Sequence, residues 1–190
     1  MKATDLLEKQ HRTVEDLFKR VEKSKKGDEK IQLFEELAHC LVAHDAIERE
    51  IFYPACAKKM GMTDTLGEAL VEHGLVELCL YLADKAQGAD DFEPKLTVLK
   101  EIVAHHVKEE EHEFFPRVEK TLGAEMLAKL GEAMEARFEH VKAADFRGPL
   151  HANLRQVLEG ATETVPESTG KANKAPVKKS PIKKVTHAPH

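Results

Sequence analysis

Adding 62 to a residue number lays one stretch of this 190-residue chain onto another, chemistry-bearing residue types included. His11 falls on His73, Val14 on Val76 and Glu15 on Glu77, while His44 falls on His106, Glu48 on Glu110, Phe52 on Phe114, Tyr53 on Phe115 and Pro54 on Pro116. The string shared by the second set is H-x3-E-x3-F-[YF]-P. Self-similarity at a fixed spacing marks a duplicated structural unit, and the hydrophobic period identifies the unit as helical. Leu7, His11, Val14, Phe18 and Val21 recur at helical steps on one stripe. A second stripe, Ile31, Phe34, Leu37, Leu41, His44, Glu48 and Ile51, runs to about Pro54 or a little beyond. A third, Leu66, Leu70, His73, Glu77 and Leu80, belongs to a helix over about 64–85, and a fourth, Leu96, Leu99, Val103, His106, Glu110 and Phe114, ends near Thr121. No segment alternates like a strand. Two helix hairpins with short connections predict an all-α, up-and-down antiparallel four-helix bundle over residues 1–122.

Residues 123–159 add a fifth helix at about 124–146, with Met126, Leu130, Met134, Phe138 and Val141 covering the bundle, and a short helical piece, HANLRQVL. From residue 160 onward Pro, Lys, Ser, Thr and Ala dominate, a composition that buries too little apolar surface to offset its ordering entropy, so a disordered tail is expected. No run approaches the ~18 consecutive apolar residues of a membrane span. The start, MKATDLLEKQH, lacks the apolar centre of a secretory signal, which predicts a cytoplasmic protein. Cys40, Cys56 and Cys79 are odd in number and form no CxxC pair, which fits reduced thiols and leaves a zinc-cysteine site unsupported. The net charge of -5 is uneven, because the tail carries six Lys against Glu163 and Glu167 and leaves an acidic body. Nucleic acid is therefore expected only at the tail, through phosphates; a solubilising tail and an anionic partner protein are the other readings.

With 11 His and 25 Glu, a Glu four positions after a His should arise about 1.4 times by composition alone. It arises five times, at His11, His44, His73, His105 and His106. On a helix these partners stand one turn apart on one face, so each pair offers an imidazole nitrogen and a carboxylate to one region of space. Four His and at least two Glu lie on stripes of Leu, Val and Phe, where an unpaired carboxylate is costly. One or two divalent cations would compensate them, and the imidazole and carboxylate donors suit iron, manganese or zinc over calcium or magnesium.

HDAIEREIFYP and HVKEEEHEFFP, with the lone His11 and His73, resemble the hemerythrin-like (HHE cation-binding) domain over about residues 4–121. The resemblance implies a non-haem pair of iron ions, manganese or zinc being the less favoured metals. His11, His44, His73 and His106 then resemble terminal ligands, and Glu48 and Glu110 the bridging carboxylates. A ferritin-like bundle would want Glu-x-x-His on its ligand helices, and neither half has it at the matching positions. The oxygen carriers of the family have a further His one turn after the third-helix His; here that position is Glu77, either a ligand or the mark of an open position, with Glu15 as its weaker repeat mate. An anionic ligand favours the ferric state, so the resemblance implies sensing, detoxification or iron handling with O2, peroxide or nitric oxide in preference to reversible carriage. Peroxide or oxygen reduction is the enzymatic form of that reading. The alternative is a metal-free helical interaction module with a nucleic-acid-binding tail.

His105 and His112 are expected on a solvated face with Glu109 and Glu111, and His140 at the surface. Cys40 and Tyr53 are read as packing residues, and Tyr81 as a hydrogen-bond partner close behind the ligands.

Overall fold

The structure, a computed structural model, describes residues 1–25 and 27–159 and is helical throughout, with no strand among the described residues. Helix α1 spans Ala3–Lys23. Helix α2 runs unbroken through Gly27–Ile47, a π-helical turn at Glu48–Phe52, and Tyr53–Met60. Helix α3 spans Asp64–Lys85. Helix α4 repeats the pattern of α2 as Phe92–Glu109, a π turn at Glu110–Phe114, and Phe115–Leu122. Helices α5, Ala124–Lys142, and α6, Arg147–Leu158, complete the fold. The hairpins α1–α2 and α3–α4 form the four-helix bundle expected from the duplication; α5 lies across α1 and α2, and α6 lies on α3. The tail, for which disorder is expected, lies outside the described residues.

The two prolines explain the two π turns. A helical proline has no N–H and its ring meets the carbonyl four residues back, yet α2 and α4 pass through Pro54 and Pro116. One extra residue per turn opens the helix just upstream, and the Tyr53 and Phe115 N–H groups reach back five residues to the Glu48 and Glu110 carbonyls. Both helices then stop at glycines that are also repeat mates, Gly61 at φ 77° and Gly123 at φ 75°, a backbone region that favours glycine. Helix α3 restarts under a side-chain cap, the Thr63 hydroxyl accepting from the Leu66 N–H at 3.2 Å.

The fifth helix differs from expectation at its end. It stops at Lys142, and α6 begins at Arg147 with Pro149 in its first turn, where a missing N–H costs nothing. A continuous helix would drive the Pro149 ring into the Asp145 carbonyl, so the chain turns instead and buries Phe146.

The core between the hairpins holds Phe34, Leu37, Ile47, Leu96 and Leu99, with the repeat mates Phe52 and Phe114 meeting edge to face at 6.1 Å. Each such side chain contributes about 1.5–3 kcal/mol of transfer free energy. Gly131 of α5 lies against the chain leading into α1, where a Cβ would fall 2.2 Å from the Met1 carbonyl oxygen. Gly131→Ala should therefore lower the melting temperature. Displacing the α1 N-terminus costs about 1–3 kcal/mol, more than the ~1 kcal/mol that alanine returns in helix propensity; thermal unfolding followed by circular dichroism reads the sign.

Candidate metal centre

Six of the seven side chains predicted as ligands converge in the middle of the bundle. His11 from α1, His44 and Glu48 from α2, His73 from α3, and His106 and Glu110 from α4 are all buried. The His11 and His44 Nε2 atoms stand 3.2 Å apart, and so do those of His73 and His106. Glu48 spans the two pairs: its Oε2 lies 3.2 Å from His44 Nε2 and 3.3 Å from His73 Nε2. Glu110 spans them from the other side, with its Oε2 3.5 Å from His11 Nε2 and 3.7 Å from His106 Nε2. Two neighbouring donor groups result, His11, His44, Glu48 and Glu110, and Glu48, His73 and His106, each with ligand atoms within 4.8 Å of one another and sharing Glu48.

The opposite edge of every imidazole is fixed by an oxygen acceptor. His11 Nδ1 donates to Glu111 at 2.8 Å, His44 Nδ1 to Gln10 at 2.8 Å, His73 Nδ1 to Asp45 at 2.5 Å and His106 Nδ1 to Glu72 at 2.8 Å. With the proton on Nδ1, each neutral ring turns the lone pair of Nε2 to the centre, the arrangement that orients a metal-ligating histidine. Lone pairs facing each other at 3.2 Å repel, and both Glu48 oxygens and Glu110 Oε2 are buried without a hydrogen-bond partner. A cation placed among them removes the repulsion and satisfies the orphaned oxygens, so the residues present fit a metal.

Without one, protons take its place. Burial opposes charge on His11, but the Glu110 and Glu111 carboxylates outweigh it and lift its pKa to about 9. Burial, reinforced by the charge of neighbouring His11, keeps His44 well below the usual histidine range. Burial and the adjacent Glu110 push Glu48 well above the usual carboxylate range.

Glu77 is buried but sits apart from both donor groups, its Oε2 accepting from Arg49 at 3.0 Å; Arg49 also donates to Asp45 at 2.7 Å. Burial, with the nearby Asp45 charge, raises the Glu77 pKa to about 7. Glu15 is exposed and pairs with Lys19 at 2.8 Å. Tyr53, read from sequence as packing, belongs to the centre: its hydroxyl donates to Glu110 at 3.0 Å and stands 3.0 Å from His73 Nε2. Glu111, expected on a solvated face, instead turns inward to His11. Tyr81 lies against His151 of α6 and Lys85, away from the ligands. Cys40 is buried as expected, and burial drives the thiol of Cys56, beneath Glu48 and Glu110, up to about 12. His112 and His140 are exposed, and His105 pairs at the surface with Glu109 and Glu72 at 3.3 and 3.4 Å.

A metal held by His11 would displace its proton, so the apparent affinity for a divalent cation should rise with pH and level off near pH 9. Calorimetry in buffers of different ionisation enthalpy should show proton release at pH 7. Helix α6 reaches the same machinery through Asn153, whose Nδ2 donates to Asp45 at 3.1 Å while Asp45 holds His73. Asn153→Leu should therefore weaken metal binding, by less than the tenfold or more typical of a group bonded directly to a ligand, with little loss of helicity.

The hemerythrin HHE cation binding domain model matches residues 2–118, the stretch that carries every one of the converging residues. No match was found among curated proteins. Among solved structures, a hemerythrin HHE cation binding domain-containing protein from Mycobacterium kansasii shares the fold, with a TM-score of 0.67 and 24% identity over 86% of this chain and 94% of that one. The duplicated H-x3-E helices, the two shared donor groups and the family match together show that this chain belongs to the hemerythrin HHE cation-binding family.

Proposed function

We propose that the chain holds a pair of non-haem iron ions and uses them to bind or reduce a small oxidant: O2, peroxide or nitric oxide. The observation that carries this reading is the arrangement of two donor groups sharing a buried carboxylate, with lone pairs and orphaned oxygens all directed at one centre. His11 and His44 would hold one ion, His73 and His106 the other, and Glu48 and Glu110 would span both. Such a pair supplies the electrons or the coordination position that a small oxidant needs. Mixed imidazole and carboxylate donors serve manganese and zinc too, but zinc would leave the pair without redox chemistry.

The surroundings fit a diatomic or triatomic ligand. A cavity of about 40 Å³ adjoins the four histidines and is walled by Val14, Leu41, Val76, Leu80 and Val103. One water needs about 10–15 Å³ by this measure, so the space accepts a small molecule. At the same wall Arg49 holds Glu77 Oε2 at 3.0 Å while Glu77 Oε1 is buried without a partner, so position 77 would either complete the coordination of the His73 and His106 ion or leave room there for the small molecule. Tyr53 presents a buried O–H to Glu110 and His73, positioned to give a proton or to ligate. Burial and the charges of Glu110 and Glu48 raise its pKa well above the usual phenol range, so in the metal-free site it stays protonated.

Anaerobic reconstitution with Fe(II), followed by elemental analysis and a visible spectrum after air oxidation, tests the reading. Two irons per chain with the absorption of an oxo-bridged ferric pair are expected; no bound iron refutes it. Glu48→Ala and Glu110→Ala should each lose iron and the stabilisation that bound metal confers by linkage, whereas His112→Ala should behave as the parent. Tyr53→Phe should retain iron yet slow the reaction with peroxide, measured by stopped-flow absorbance.

A further inference from the structure

Helix α3 is apolar on more than the face it buries. Leu66, Leu80 and Ala83 point into the core, yet Val71, Leu75, Leu78 and Leu82 stand 66%, 46%, 38% and 40% exposed. These four follow one another at steps of four, three and four, so they lie on one outer stripe. Continuing that spacing by three residues each way reaches Glu68 and Lys85, both exposed. Helix α6 leaves the stripe open, packing beside it where Val157 approaches Gly74 and His151 meets Tyr81.

The six positions are complementary to themselves in reverse. We infer that this stripe is the contact surface for a second copy of the chain, with the two α3 helices antiparallel across a twofold axis between residues 76 and 77. In that register Leu75 faces Leu78 of the other copy, Val71 faces Leu82, and Glu68 faces Lys85. The twofold repeats each pairing, as an isologous interface requires. The spacing is that of the apolar seam through which helices pair, and opposite charges at both ends of the seam fix the orientation. A parallel pairing in register would set Glu68 against Glu68 and Lys85 against Lys85, so charge selects the antiparallel arrangement. Among the described residues Lys85 meets the Tyr81 ring at 5.5 Å and one distant carboxylate, Asp84 at 3.9 Å, which is already engaged by Arg147 at 2.8 Å. Four exposed aliphatic side chains in one stripe also form the kind of contiguous apolar surface that marks an interaction site.

Sedimentation equilibrium of the full chain, loaded with iron, tests this. A reversible dimer is expected, and the Leu75→Glu/Leu78→Glu variant should be a monomer with unchanged helicity and iron content, because neither side chain reaches the core or the metal centre. Glu68→Lys should weaken the dimer by setting lysine against Lys85, and Glu68→Lys/Lys85→Glu should restore it. A parent chain that stays monomeric at every concentration overturns the inference. So does a dimer that survives the double glutamate substitution, or a charge reversal that restores nothing.

Discussion

Four imidazoles and two carboxyl groups are crowded within a few ångströms of one another inside an apolar bundle, and their shared need for positive charge, from a metal or from protons, is the constraint around which the rest is arranged. Left alone, such a cluster would open or fill with water, since a buried unpaired carboxylate costs several kcal/mol. It stays closed because each imidazole is fixed from behind by Gln10, Asp45, Glu72 or Glu111 and because aromatic rings pack against it. Phe115 stacks on His11 with the planes 7° apart, and its repeat mate Tyr53 meets His73 edge to face at 5.4 Å. The scaffold thus prepays the cost of bringing like groups together, and a cation recovers it.

The π turns belong to the same arrangement. In an ideal helix Glu48 and Tyr53 would point to different faces; the wider turn demanded by Pro54 brings the residue five positions on back toward the glutamate. The proline is thus what lets one helix present His44, Glu48 and Tyr53 to one point. Helix α4 does the same with His106, Glu110 and Phe115. A structural irregularity forced by covalent geometry is what completes the site.

How much of this could be read in the sequence follows from the same physics. The bundle and the six converging residues were legible because a 3.6-residue period, doubled at a fixed spacing, leaves little freedom about which face each residue occupies. The hydrogen-bond partners behind the histidines were not read, although a signal existed: Gln10 and Glu72 immediately precede His11 and His73 and are themselves repeat mates. They reach across to the partner helix, which no single-helix pattern reveals. Tyr53 was missed because stripe arithmetic assumes an unbroken helix, and the π turn shifts the register after Glu48. Glu77 sits in the right phase, but phase cannot show that one of its oxygens accepts from Arg49 of another helix while the other is left buried without a partner.

The duplication has also been broken in a directed way. At matched positions one half carries Asp45, Arg49 and Tyr53 where the other carries Val107, Glu111 and Phe115. All three changes fall around His73, and Asn153 of α6, a helix with no counterpart in the repeat, adds to them. Gly74 admits that helix: a Cβ there would sit 3.2 Å from the Val157 side chain, whereas its mate Arg12 faces outward to Glu111. Two ions held by such a bundle would therefore not be equivalent. The one at His11 and His44 would lie against a stacked phenylalanine with no exchangeable proton. The His73 side adds the Tyr53 phenol and the Asn153 contact to Asp45, whereas the carboxylate and arginine behind His73, Asp45 and Arg49, are matched behind His11 by Glu111 and Arg12. The Tyr53 phenol, set between Glu110 and His73 where the other half has Phe115, is thus the clearest mark of an asymmetry built by substitution within a symmetric frame.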